Sequence, residues 1–209
     1  MSAVEAIAAL RDETVAALTL TLDQDQIQVV FGVGDPTSPL MIVGEAPGPQ
    51  EARQGEPFVG PSGALLNETL GELGVSRDQV WISNVVKVWP LTRSGRSVRT
   101  RPPTAAEQRA SWPFFERELE IVHPRVLVLL GGTAARAILG KNFKITAGRG
   151  QWRDGPRGIP TLATFHPSYV LRLQGMDAAR GDEVLAQFKQ DLRRAVERAG
   201  FGGGGTKEE

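Results

Sequence analysis

Four short apolar runs stand apart along the chain, Leu40 to Val43, Trp81 to Val86, Val126 to Leu130 and Thr161 to Phe165. Their near-continuous apolar character predicts strands covered on both faces, since a half-solvated strand would alternate. Helical spacing fills the intervals. Val4, Ile7, Ala8, Leu10, Val15 and Leu18 recur at roughly helical steps, interrupted by Arg11, Asp12 and Glu13. Pro61 and Ser62 open a second stretch through Leu65, Leu66, Leu70 and Leu73 that Gly74 stops, and Thr104 with Glu107 three residues on predicts a capped start for a third. A short helix is expected over Thr133 to Leu139 and an amphipathic one through Val184, Leu185, Phe188, Leu192 and Val196. Strands alternating with helices imply right-handed crossovers and a parallel sheet sandwiched by helices, with ligands gathering at the carboxyl ends of its strands.

A chain of 209 residues is long enough for one core of ordinary size. The expected organisation is a single domain over residues 1–200, followed by a flexible tail over 201–209 that holds Gly202 to Gly205 and the charged Lys207, Glu208 and Glu209. The 24 basic and 24 acidic residues balance, so any surface for nucleic acid must be local. Cysteine is absent, which removes disulfides, thiolate metal sites and cysteine nucleophiles together. No apolar stretch reaches the roughly 18 residues of a membrane span, and Met1 to Leu20 lacks a basic region followed by an apolar one, so a soluble, cytoplasmic protein is expected.

The unusual residues fall at the expected strand ends. The first strand runs into Gly44, Glu45, Ala46, Pro47 and Gly48, a turn whose glycines let backbone approach a ligand closely. Phe58 is held among the turn formers of Pro57 to Gly63 rather than at a periodic core position, and is a candidate stacking platform as much as a satellite core residue. The second strand ends in Ser83, Asn84, Val85, Val86, Lys87, where an amide among apolar residues must find a partner; its donor and acceptor edge suits a pyrimidine. The fourth leads into Phe165, His166, Pro167, Ser168, Tyr169, a histidine at a strand end before a proline that fixes the turn. His123, at the amino end of its strand, reads as structural.

Taken in order, GEAPG, PFVGPSG, SNVVK, PRVLVLLGGTAA and FHPSYVLR resemble the family 4, iron-sulfur uracil-DNA glycosylases over roughly Val29 to Arg172. The resemblance implies a three-layer α/β/α sandwich with a central four-stranded parallel sheet, and a catalytic groove across its strand ends. It implies that Glu45 positions or activates water and that Glu51 lines the pocket near the pyrimidine 5-position. Phe58 would stack on the base, Asn84 would read it, and His166 would face uracil O2, with Gly44 and Ala46 forming part of the same pocket. Gly48, Ser62, Gly63, Ser168 and Arg172 are implied on the phosphate side, with Val170 or Leu171 filling the gap left by the extruded base. The chemistry suits these residue types, because breaking an N-glycosidic bond develops positive charge on the sugar and negative charge on the departing base. A base inside a duplex cannot reach such a pocket, so extrusion is required, and both single- and double-stranded substrates are expected.

The pattern breaks at the metal. The family's cluster cysteines would fall as a pair between about Val15 and Leu20, then at about Val88 and Ser111, and none is present. No cofactor is therefore expected, and the volume should be refilled by side chains, because a void costs cavity energy. The segment Lys87 to Pro103 carries Arg93, Arg96, Arg99 and Arg101 and no acid, so Arg96, Arg99 and Arg101 are candidate phosphate contacts. It resembles the segment in relatives that trap uracil DNA through a histidine, but Thr100 falls near that position, which predicts turnover rather than a covalent adduct. The expected partner is uracil-containing DNA and the expected state a monomer. A binder of uracil-containing or damaged DNA that does not cut it is the competing reading; a phosphate-cradling nucleotide domain is disfavoured because neither a Walker lysine motif nor G-x-G-x-x-G is present.

Overall fold

The computed structural model describes residues 1–21 and 28–201. In chain order the elements are α1 (Ala3–Thr21), β1 (Val33–Gly34), β2 (Leu40–Gly44), α2 (Pro49–Gln54), α3 (Pro61–Glu72), β3 (Trp81–Asn84), β4 (Leu91–Ser94), β5 (Ser97–Thr100), α4 (Ala105–Val122), β6 (Val126–Leu130), α5 (Gly132–Leu139), α6 (Ile145–Gly148), β7 (Trp152–Asp154), β8 (Pro160–Thr164), α7 (Pro167–Met176) and α8 (Ala178–Ala199). The main sheet has the order β1-β3-β2-β6-β8-β7. Its four inner strands are the four apolar runs and pair in parallel, as expected. The sequence reading missed the two edge strands, β1 and β7, which pair antiparallel. They are two and three residues long and partly exposed, too short to leave a periodic signal.

Period-two alternation divides the core. Leu40, Ile42, Ile82, Val126, Val128 and Leu130 face one layer with residues of α3, α7 and α8. Met41, Val43, Trp81, Leu127 and Leu129 face the other, with α1, α4 and α5. The result is a three-layer α/β/α sandwich. The buried face of α1 is Ile7, Leu10, Thr14 and Leu18, whereas Val4 and Val15, counted apolar in the sequence, lie 62% and 44% exposed. Thr104 and Glu107 form the expected capping box at α4, where the Thr104 N–H donates to Glu107 at 2.7 Å and the Glu107 N–H to Thr104 Oγ1 at 3.2 Å. His123 ends α4 in a left-handed conformation, a structural place. Phe201, assigned to the tail, packs half-buried against the core; residues 202–209 lie outside those described.

From β2 the chain moves to β3 on one side, then crosses back to β6 and β8 on the other. A crevice opens where such connections diverge. Here it falls between the ends of β2 and β6, at Gly44–Glu45 and Leu130–Gly131.

Candidate active site

A cavity of about 730 Å³ lies at that divergence, and its walls include Glu45, Ala46, Thr133, Arg136, His166, Ser168, Tyr169 and Arg172. Glu45 follows the last residue of β2 and is half-buried. Burial pushes its carboxyl above the usual carboxylate range, restrained by a hydrogen bond from Thr133 and by the charge of Arg136. Arg136 in turn donates to Thr133 Oγ1 at 3.2 Å. Neither residue was singled out in the sequence, although the place of Thr133, just past the glycine turn after β6, puts it beside the end of β2.

His166 is the N-cap of α7, with Pro167 at the first helical position, so the HPS motif is a helix start and not only a turn. Its Nδ1 accepts the Ser168 backbone N–H at 3.1 Å and lies 2.9 Å from Ser168 Oγ. An acceptor at Nδ1 leaves the ring proton on Nε2. Burial, reinforced by the charge of Arg172 and opposed by Glu51, lowers the imidazole to a pKa of about 4, so it is neutral near pH 7. A neutral ring that donates from Nε2 suits a carbonyl oxygen that gains negative charge.

Asn84 is 2% exposed, and among the described residues no protein group is bonded to its side-chain amide. It meets Phe58 over Gly44, where a Cβ would collide with Asn84 Oδ1 and come within 2.6 Å of the Phe58 ring. Gly44 is thus required by close approach. The Phe58 ring stacks on His166 with centroids 5.9 Å apart. Phe58 holds φ +54°, an uncommon value for a bulky residue. Two devices keep it there. Gly63 supplies room, since a Cβ would run into the Phe58 carbonyl. Arg77, unrecognised in the sequence, donates to the Phe58 carbonyl at 3.1 Å and also to that of Pro57.

The remaining expected residues divide. Glu51 accepts the Gly48 N–H at 3.1 Å with one oxygen, and those of Val59 and Gly60 at 3.2 and 3.1 Å with the other. It therefore braces the Gly48 turn against the Phe58 loop. Gly48 caps α2, and Ser62 and Gly63 sit in the first turn of α3; none of the three is a wall of the cavity. Ser168 and Arg172 are cavity walls. Val170 is fully buried and is core, which leaves only Leu171 of the two wedge candidates, half-buried against that core.

The arginine-rich segment, read as a loop, is a hairpin of β4 and β5. Arg96 and Arg99 are exposed on it. Arg101 forms a bidentate pair with Glu107 at 2.7 and 2.8 Å, anchoring the hairpin to α4 while touching the cavity. Thr100 accepts from Trp89 Nε1 at 2.9 Å and is also a cavity wall.

The positions expected for cluster cysteines do come together. Leu18, Val86 and Val88 form a buried apolar cluster, with Val29, Ala46, Ala110 and Phe114 packed against it. Ser111 is buried, and its hydroxyl accepts the Lys87 N–H at 3.1 Å. This region holds no thiolate and its one hydroxyl is engaged, so its residues do not fit an iron-sulfur cluster. Among the described residues there is no group of three or more acidic, histidine or cysteine side chains that could hold a metal.

The family profile described as the Uracil DNA glycosylase superfamily matches residues 31–193, more than half of the chain. The chain belongs to the uracil DNA glycosylase superfamily. Among its relatives, the type-4 uracil-DNA glycosylase of Thermotoga maritima is 40% identical over 175 residues, covering 83% of this chain and 84% of that protein. That of Sulfurisphaera tokodaii is 36% identical over 170 residues, covering 78% and 74%. A type-5 uracil-DNA glycosylase of Thermus thermophilus is 33% identical over 152 residues, covering 66% and 68%. All the catalytic motifs read in the sequence fall inside the stretch matched by the superfamily. Among the described residues no helix is long and apolar enough to cross a membrane.

Proposed function

We propose that this protein hydrolyses the N-glycosidic bond of uracil in single- and double-stranded DNA, as a cytoplasmic monomer without an iron-sulfur cluster. The observation that carries the reading is the neutral His166, its Nδ1 satisfied by the Ser168 N–H, in one cavity with the half-buried Glu45. Uracil enters the crevice extruded from its strand, stacks on Phe58 and meets the Asn84 amide. As the C1′–N1 bond breaks, its electron pair moves to the base, and the Nε2–H of His166 stabilises the charge at O2. The N-terminus of α7, which His166 caps, adds a favourable dipole for the anion. Glu45, ionised, opposes the positive charge of the sugar and orients water, whose oxygen bonds to C1′. The water proton passes through Glu45, the uracil anion takes up a proton, and free base and an abasic site remain. Gly48, Glu51, Ser62 and Gly63 serve by shaping the turns that flank the base; Arg96, Arg99, Ser168 and Arg172 face phosphates, and Leu171 fills the vacated stack.

The test is incubation with labelled single-stranded and duplex oligonucleotides carrying one uracil, without added iron, followed by alkali. Strand cleavage is expected, with no DNA adduct surviving a denaturing gel. Uracil-dependent binding without cleavage would move the assignment to a lesion binder, and a stable adduct would overturn the turnover assigned on Thr100.

A further inference from the structure

The mechanism leaves unused a fully buried ionic network directly behind Asn84. Lys87 and Glu118 are both 0% exposed and paired. The Lys87 ammonium also donates to Ser83 Oγ at 2.7 Å and to the Asn84 carbonyl at 2.8 Å. Glu118 is completed by Trp81 Nε1 at 2.8 Å and Ser83 Oγ at 3.0 Å, and the rings of Phe31 and Phe115 lie 5.3 and 5.6 Å from the ammonium. A charge pair so deep is weak evidence of a stability device, because hydrophobic replacements often do as well. Its geometry points elsewhere. The peptide after Asn84 is gripped at both ends: the Val85 N–H donates to the Gly44 carbonyl at 3.0 Å, and the Asn84 carbonyl accepts Lys87. One step on, the Val86 N–H donates to the Glu45 carbonyl at 2.9 Å. Lys87 is itself held by its backbone, from the Ser111 hydroxyl on one side and the Val30 N–H on the other, at 3.1 and 2.7 Å. Ser111 stands where the family resemblance places a cluster cysteine.

We infer that Lys87, Glu118 and Ser111 are positioning residues that fix the Asn84 amide against the base. The network sets the plane of the Asn84 peptide, and with it the direction of a side chain that no protein group holds among the described residues. Ser111 carries the hold into the refilled cluster region. The inference rests on the uracil-excising reading of the same site.

The test is single-turnover excision by Lys87→Met/Glu118→Gln, which removes both charges and keeps an acceptor for Trp81, with Ser111→Ala as a milder second variant. Each is measured with and without Asn84→Ala, after thermal melting has shown that it is folded. The double variant is expected to lose about 10- to 100-fold in rate at saturating DNA, the scale of a small misplacement of a reacting group. Ser111→Ala should lose less. In either background, Asn84→Ala should cost much less than it does alone, because the amide is already misplaced. Folded variants that keep the wild-type rate, or in which the Asn84→Ala loss is undiminished, would overturn the inference. If the charge-free pair does not fold, Ser111→Ala decides by the same criterion. A wild type that leaves uracil in DNA would instead sink the functional reading beneath it.

Discussion

Two regions meet at Ala46, which is a wall of the cavity at the strand ends on one side and packs on Leu18, Val86 and Val88 on the other. On the cavity side the local rules of folding are broken repeatedly. A half-buried carboxyl on its wall has a raised pKa, and the phenylalanine stacked on the wall residue His166 holds positive φ. Each is a cost that persists only because its surroundings over-determine it. On the other side nothing is strained: the side chains are apolar, and Ser111 is satisfied by Lys87. Here the family resemblance called for a metal, and the chain packs hydrocarbon. The difference separates what the reaction needs from what merely holds the strands that carry it. Any close packing can hold a strand end, but only particular groups can face a departing anion.

Substitution on each side should break that comparison if it is wrong. His166→Ala removes the donor at O2 and should cut the rate of uracil release by about 10²- to 10³-fold, roughly 3 to 4 kcal/mol of transition-state stabilisation. Glu45→Gln should fall in the same range. Leu18→Ala should do the reverse, lowering stability by about 2 to 5 kcal/mol in denaturant titration through the cavity it opens. The excision rate per folded molecule should hold. A Leu18→Ala protein that melts normally but turns over slowly would show that the packed region does more than support.

Acid separates the regions again, with a smaller effect. His166 has a pKa of about 4 in the folded protein against 6.5 ordinarily, so between those values the unfolded chain binds a proton that the folded one refuses. The stability this represents is fully present above pH 6.5 and is lost as pH falls toward 4, at most about 3 kcal/mol for a ring that is not wholly enclosed. Denaturant titration from pH 7 to pH 4 should show the loss in wild type and a shallower slope in His166→Ala. Activity should fall on the same descent for a different reason. The proposed mechanism uses Glu45 ionised, and burial lifts its pKa above the usual carboxylate range. The acid limb of the rate should therefore belong to Glu45, and Thr133→Val, which removes a hydrogen bond that favours the carboxylate, should move that limb to higher pH.

The inner strands were legible because four apolar runs have no other use in a chain of this kind, and the α4 cap because Thr104 and Glu107 have the spacing that reciprocal bonding demands. Glu45, Asn84 and His166 were legible as polar residues at strand ends, where apolar neighbours make them conspicuous. What stayed hidden lies in relations between distant segments. That Glu51 braces three backbone N–H groups was not legible, because nothing near it in sequence announces Val59 or Gly60 as partners. Arg77 lies nineteen positions from the carbonyl it clamps. Lys87 sat in plain view within SNVVK, yet its meaning depends on Glu118, thirty-one residues away on α4.

The hairpin offers the smallest and sharpest test, since Thr100 and Arg101 at its base line the cavity while Arg96 at its turn does not. Arg101 is committed to Glu107, which fixes the base of the hairpin, while Arg96 at its turn and Arg99 on its second strand are exposed. If they meet phosphates, each charge removed takes away a share of counterion release. Arg96→Ala/Arg99→Ala should weaken binding of uracil-containing strands by about 3- to 10-fold at low salt and reduce the slope of log affinity against log salt by about 1 to 2. The loss should appear in KM and vanish as salt rises. Arg101→Ala should behave differently, because it frees the hairpin and leaves Glu107 without its cation; its effect should survive at high salt. Were both variants to show the same salt dependence, the hairpin would be a uniform basic surface, and the division between anchor and phosphate contacts would be wrong.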